Sequence, residues 1–228
     1  VPLNYLKTEG ACVTPNGAKF KNDAQGFLPE MMEKMYNDRV VYKKRMLKAK
    51  QQYERTKAPE LVKEIARCHN IQWAKKIALN SAYGAIGNQY FRYYDVRQAT
   101  AITTAGQLVI RHIEKNVNDY MNKVLQSHDK IDYIVASDTD SIYLCLDKLV
   151  EKTCQGKDTE QILKFLDKVI EQKIEPFIEK CFNELSDYTN AFQQRMVMKR
   201  EVIADKAIWT AKKRYMLHVL DEEGIRYT

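Results

Sequence analysis

No apolar run in the 228 residues approaches the roughly 20 that a membrane-crossing helix needs, and no charged-then-apolar leader opens the chain. The sequence therefore reads as soluble and cytoplasmic, with no membrane partner. Glycine and proline are scarce, at 8 and 5 residues, and neither repeats nor low-complexity tracts occur. With 45% hydrophobic and 29% charged residues the chain has the composition of a folded protein, not of a disordered one. The five cysteines (Cys12, Cys68, Cys145, Cys154, Cys181) are scattered, odd in number and never spaced Cys-x-x-Cys, which excludes a disulfide framework and a zinc ribbon. The four histidines are equally isolated. What the chain has in excess is positive charge: net +7, pI about 9.0, a balance that suits an anionic partner without naming one.

Periodicity divides the chain into three parts. In residues 1–28, the turn signals Thr14-Pro-Asn-Gly17 and Asp23-Ala-Gln-Gly26 flank short apolar pieces and predict a small hairpin. From Pro29 a charged helix is expected to run to about Thr56. Ala58-Pro59-Glu60 interrupts it, and a second helix follows from about Glu60 to Tyr83. So short a link makes the two helices antiparallel. Beyond Gly84–Gly87, residues 98–123 read as a helix with Ile102, Ala105, Val109, Ile113 and Val117 near one face. Ile131–Ala136 and Ser141–Leu146 read as a hairpin around Ser137-Asp-Thr-Asp140. Residues 158–187 read as a helix, and the last forty residues as strands. The mixture predicts an α+β fold. The chain starts at Val1, not methionine, and ends in a strand–turn–strand pattern from Arg214 to Thr228, so it is expected to be a piece of something longer.

Two clusters carry chemistry. Asp138 and Asp140, on a hairpin tip backed by apolar strands, suit a divalent metal: magnesium takes a few carboxylate oxygens and completes its shell with water and phosphates. Asp and Ser are also ordinary turn residues. An apolar strand followed by Asp-x-Asp also opens haloacid-dehalogenase phosphatases, in which Asp138 would be the nucleophile. Those usually continue Gly-Thr or similar, and Ser141-Ile142 does not. The second cluster places Lys76, Asn80 and Tyr83 at i, i+4 and i+7 on one helical face. Arg39 and Lys43 share the same spacing on the preceding helix. In an antiparallel pair the two stripes face one gap and bring three cations together, an arrangement suited to a triphosphate. On an isolated helix such charges would be a solvated face.

Lys76-x-x-x-Asn80-Ser81-x-Tyr83-Gly84 resembles motif B of family B DNA polymerases. Tyr133 through Tyr143, centred on Asp138-Thr139-Asp140-Ser141, resembles motif C, and Trp209-Thr-Ala-Lys212-Lys213-Arg214-Tyr215 resembles the family's Lys-Lys-Arg-Tyr motif. The three occur in the family's order. Asn88 to Thr104 and Thr14-Pro-Asn-Gly17 are similar to replicative polymerases of large tailed phages. The resemblance implies an antiparallel palm sheet with packed helices and a two-helix antiparallel fingers hairpin. Residues 1–28 would be a palm-proximal hairpin segment, 29–84 the fingers helices and 85–228 part of the palm. It implies template-directed nucleotidyl transfer from a dNTP to a primer 3′ hydroxyl, with two magnesium ions (or manganese in their place) on Asp140 and Asp138 and Glu201 as an auxiliary carboxylate. Arg39, Lys43, Lys76 and Asn80 would bind the dNTP, Tyr83 and Gly84 would line the nascent base pair, and Lys212, Lys213, Arg214 and Tyr215 would contact primer–template DNA.

The family's motif A strand, Asp-x-x-Ser-Leu-Tyr-Pro, with its metal-binding aspartate, is not found in these residues, nor are an exonuclease domain and thumb. The expectation is that the 228 residues alone do not polymerise. Other polymerase segments, or a second subunit, would supply the missing parts, with a sliding clamp as a further partner. A non-catalytic nucleic-acid-binding relative is the alternative.

Overall fold

Lys57 and Ala58 alone separate two long helices in the computed structural model, which describes residues 9–127 and 130–227. Helix α1 (Phe27–Thr56) ends as Lys57 turns into the left-handed region at φ 51° and its N–H bonds back to the Tyr53 carbonyl. Ala58 is extended, as the residue before a proline prefers, and Pro59 opens α2 (Pro59–Ile86), where its missing N–H costs nothing. The pair is antiparallel. It buries Met46 and Ala49 of α1 against Cys68 and Gln72 of α2, and Lys75 reaches Asp38 across the seam at 3.0 Å.

Strands β1 (Ala11–Val13) and β2 (Lys19–Lys21) form the hairpin expected around Thr14-Pro-Asn-Gly17. Gly17 supplies the φ of +82° that the turn requires, and the Thr14 hydroxyl donates to the Asn16 side-chain oxygen at 2.7 Å. Residues 1–8, the start of the predicted 1–28 segment, and Thr228 lie outside the described residues.

Helix α3 (Val96–Leu125) is capped by Asp95, whose carboxylate accepts the Arg97 N–H at 2.9 Å. Its Ile113, Val117, Met121 and Leu125 recur every fourth residue and form the centre of the core. The predicted face is not followed at its start: Ile102 is exposed, and its neighbour Ala101 is the buried residue of the first turns. Strands β3 (Ile134–Asp138) and β4 (Ser141–Leu144) follow, then the short helix α4 (Asp147–Thr153), which periodicity did not reveal. The helix expected over 158–187 is divided. α5 (Thr159–Val169) passes through a π segment at Ile170–Ile174 into α6 (Glu175–Tyr188). Pro176 explains the break, since it has no N–H for the carbonyl one turn back and its ring crowds that turn. Ile162, Phe165, Leu166, Val169, Ile170, Ile174, Phe177 and Ile178, which recur at helical spacing through this stretch, all belong to the core or pack against it.

Strands β5 (Val202–Ala211), β6 (Arg214–Glu222) and β7 (Ile225–Arg226) close the described chain as an antiparallel ribbon. The architecture is α+β. Among the described residues its strands form three small antiparallel sheets, β1–β2, β3–β4 and β5–β6–β7. The last two meet through side chains and not through a ladder of backbone hydrogen bonds. Tyr143 of β4 stands edge-on to Trp209 of β5 and Tyr215 of β6, both at 5.4 Å.

Candidate active site

The β3–β4 connection is a two-residue turn, closed by the Asp138–Ser141 pair. Thr139 occupies its left-handed position at φ 54°. Its hydroxyl donates to Asp138 Oδ1 at 2.9 Å, and the Ser141 hydroxyl donates to the Asp138 carbonyl at 3.1 Å. Hydroxyls beside a small turn residue thus hold the tip in shape. Asp138 is half-exposed and Asp140 exposed, so both carboxylates face outward within three residues of each other.

The partner of this tip is the turn of the ribbon. Ala211 pairs with Arg214, leaving Lys212 and Lys213 in a two-residue loop with Lys213 at φ 63°. Lys213 Nζ lies 3.1 Å from Asp138 Oδ1. That ammonium, with the Thr139 hydroxyl, holds the Asp138 carboxyl below the usual carboxylate range. The aromatic triad backs the contact. Burial, reinforced by the Tyr215 hydroxyl, pushes the Tyr143 phenol up to about 12. Lys212, Arg214 and Tyr215 lie on the same exposed edge.

The helical stripes converge as their spacing suggests. Arg39 and Lys43 of α1 and Lys76 of α2 line one cavity of about 210 Å³, with Gln72 and Trp73 between them. Lys76 Nζ sits 5.4 Å from the centre of the Trp73 ring. Arg39 Nε is buried and has no hydrogen-bond partner. Asn80 is exposed one turn further on, outside the cavity lining, and Tyr83 is 40% exposed near the helix end. A Cβ added at Gly84 would meet no protein atom, so packing within the chain does not demand glycine there.

Glu201 lies elsewhere on the ribbon. It does not join Asp138 and Asp140 but lines the cation cavity, with its carbonyl 2.6 Å from the Glu223 N–H. The reason is the length of the ribbon: Lys213, which touches Asp138, and Glu201 lie at opposite ends of β5, about 30 Å apart along the strand. Among the described residues no three His, Cys, Asp or Glu side chains converge as a metal site. Asp138 and Asp140 fit part of one, because magnesium uses hard anionic oxygens and often only one or two protein carboxylates. They are not a complete set.

Sequence reasoning missed Trp73, Gln72 and the carboxylates of Glu222 and Glu223 in the cavity, and Tyr143 and Trp209 behind the carboxylate tip. Trp73 had a signal, its i−3 spacing from Lys76. Glu222 and Glu223 had none, since they come from the far end of the chain.

An exposed carboxylate turn docked on a lysine turn, with a cationic helix pair on the same scaffold, suits phosphate-bearing partners. The chain belongs to DNA polymerase family B, whose family model matches residues 4–225. It is 34% identical to the DNA-directed DNA polymerase of Escherichia phage RB69 over 265 positions, covering 94% of this chain and 29% of that protein. The DNA-directed DNA polymerase of Enterobacteria phage T4 matches with the same identity and coverage. The DNA polymerase delta catalytic subunit of Oryza sativa subsp. japonica is 30% identical over 139 positions, covering 60% of this chain and 12% of that protein. The chain thus spans less than a third of the length of the relatives it matches. No helix among the described residues is long and apolar enough to cross a membrane.

Proposed function

We propose that this chain forms the fingers helices (α1–α2) and part of the palm of a DNA-directed DNA polymerase, with nucleotidyl transfer from a dNTP to a primer 3′ hydroxyl as its reaction. The observation that carries this reading is the docking of the Lys212–Lys213 turn on Asp138. The residues assigned to primer–template DNA and the carboxylates assigned to its 3′ end then share one surface.

The chain's own groups have distinct tasks. Arg39, Lys43 and Lys76 neutralise the triphosphate, and the unpaired Arg39 Nε is a donor ready for an oxyanion. Asn80 extends that stripe by one turn. Tyr83 lines the nascent base pair, and Gly84 beside it leaves room for the approach of a base, since no protein atom requires glycine at that position. Lys212, Arg214 and Tyr215 hold the duplex backbone without reading sequence. Asp138, whose carboxyl Lys213 and Thr139 hold below the usual carboxylate range, and Asp140 provide the oxygens for divalent metal. Magnesium bound there would supply charge neutralisation at the reacting phosphate and a lowered pKa for the attacking hydroxyl. A further carboxylate, from a motif A strand in another segment or subunit, completes the set, and without it the 228 residues do not polymerise.

In the complete polymerase carrying this segment, Asp140→Ala is expected to abolish primer extension while duplex binding persists. Retained extension would sink the catalytic assignment. The incomplete carboxylate set among the described residues favours one second reading, a non-catalytic DNA-binding relative. That reading predicts that wild type and Asp140→Ala behave alike in both assays.

A further inference from the structure

The cavity that gathers Arg39, Lys43 and Lys76 is also lined by three carboxylates, Glu201, Glu222 and Glu223. Glu222 accepts the Tyr227 hydroxyl at 2.9 Å, and Glu223 forms an ion pair with Lys43, in which both side chains are largely withdrawn from water, at 21% and 30% exposure. We propose that Glu223 is an internal anion that latches the α1–α2 pair to the ribbon, and that an incoming triphosphate binds by displacing it from Lys43. The inference rests on the reading of Arg39, Lys43 and Lys76 as triphosphate-binding groups.

Three further features make Glu223 a latch and not an incidental surface contact. First, it stands where its residue type is disfavoured. Glu222 pairs with Ile225, so Glu223 and Gly224 form a two-residue turn, with φ of 51° and 84°. Such turns favour Asn, Asp or Gly at the first position, and glutamate gains nothing from the backbone there. Its side chain is instead directed across to α1.

Second, the turn is anchored to buried charge. Asp221, fully buried, accepts the Gly224 N–H at 3.1 Å and ion-pairs with Arg200 and Arg226. Those arginines reach Asp167 of α5 at 3.0 and 2.5 Å. The carboxylate is therefore presented from the core of the molecule, whereas Lys43 belongs to a helix pair that meets the rest at α3, at this ribbon, and near its start through Glu33 with Arg195 at 3.4 Å and Phe27 against Tyr93. Third, the latched arrangement leaves a donor unused, the buried Arg39 Nε. An anion of more than one charge satisfies that donor and Lys43 together, which the single carboxylate does not. Displacement thus exchanges one charge-assisted contact for several, and it frees the helix pair from the ribbon in the same event.

The test is binding of inorganic tripolyphosphate to the 228-residue chain, by calorimetry at constant ionic strength and without divalent metal. Glu223→Gln is expected to bind about fivefold more tightly than the parent, as loss of a competing partly exposed ion pair implies. Glu223→Asn, which suits the left-handed turn and so folds at least as well, is expected to do the same. Glu60→Gln, an equal change in net charge at an exposed site on α2, is expected to leave affinity unchanged, and Arg39→Gln and Lys76→Gln to weaken it. If both Glu223 variants bind like the parent while Arg39→Gln and Lys76→Gln bind more weakly, the latch is wrong and the triphosphate reading stands. Equal tightening in Glu60→Gln reduces the effect to net charge and also overturns the latch. If none of the cation variants changes affinity, the triphosphate reading falls and takes the latch with it.

Discussion

Asp138 and Lys213 meet from turns 75 positions apart in the chain, and each is held by a backbone residue in the left-handed region, Thr139 at 54° and Lys213 itself at 63°. Neither residue is a glycine, so each turn carries a conformational cost that the surrounding contacts must offset. The contact has a pH signature. The folded-state pKa of Asp138 is depressed, so its contribution to stability is present above the ordinary carboxylate range and is lost as pH falls through the lowered value. Lys213→Met removes the larger cause and leaves the Thr139 hydroxyl. Carboxyl titration followed by NMR is expected to show the Asp138 midpoint moving up toward the ordinary value in that variant. An unmoved midpoint would mean that the ion pair is not formed in solution.

The ribbon works as an element because its two ends are fastened differently. At the tip, Tyr143, Trp209 and Tyr215 clasp it to β4 through ring edges. At the base, Asp221 lies fully buried between Arg200 and Arg226. Paired charges of this kind add little net stability, but removal of one partner leaves the others uncompensated. Asp221→Ala is therefore expected to cost about 3–5 kcal/mol in urea unfolding. A cost below about 1 kcal/mol would mean that water already reaches the cluster. The α5–α6 helix shows the same dependence of an element on its neighbours. Its apolar spacing is legible through all thirty residues, yet only Pro176 signals the π segment, and where the widened turn falls depends on packing against α3, where Phe177 stacks on Tyr120 at 4.3 Å.

On the scale of the whole molecule, the alignment with the phage relatives runs over 265 positions although the chain has 228 residues, so each relative carries several tens of positions with no counterpart here. The net charge of +7 and the exposed Lys212–Arg214 edge predict that duplex binding weakens with salt, with log K falling linearly against log salt concentration. Substituting Lys212 by Gln is expected to reduce that slope by about one and to affect all sequences alike. Fluorescence titrations at several salt concentrations measure this directly, and an unchanged slope would remove Lys212 from the phosphate contacts.

The sequence alone determined what depends on neighbours within a few positions. The two long helices, their antiparallel course around Lys57-Ala58-Pro59, the Thr14–Gly17 turn and the carboxylate hairpin all follow from period, proline and turn chemistry. The convergence of Arg39, Lys43 and Lys76 also followed, because a two-residue link and an i, i+4 spacing leave the stripes little choice of facing. Tertiary structure decided the rest: that the strands divide into three sheets, that Lys213 reaches Asp138, that Glu201 lines the cation cavity, and that Glu223 holds Lys43. Those four depend on where β5–β6 lies against α1 and β4. Side chains far apart in the chain set that placement, through edge-to-face contact of aromatic rings and the pairing of one buried carboxylate, and no local pattern encodes it.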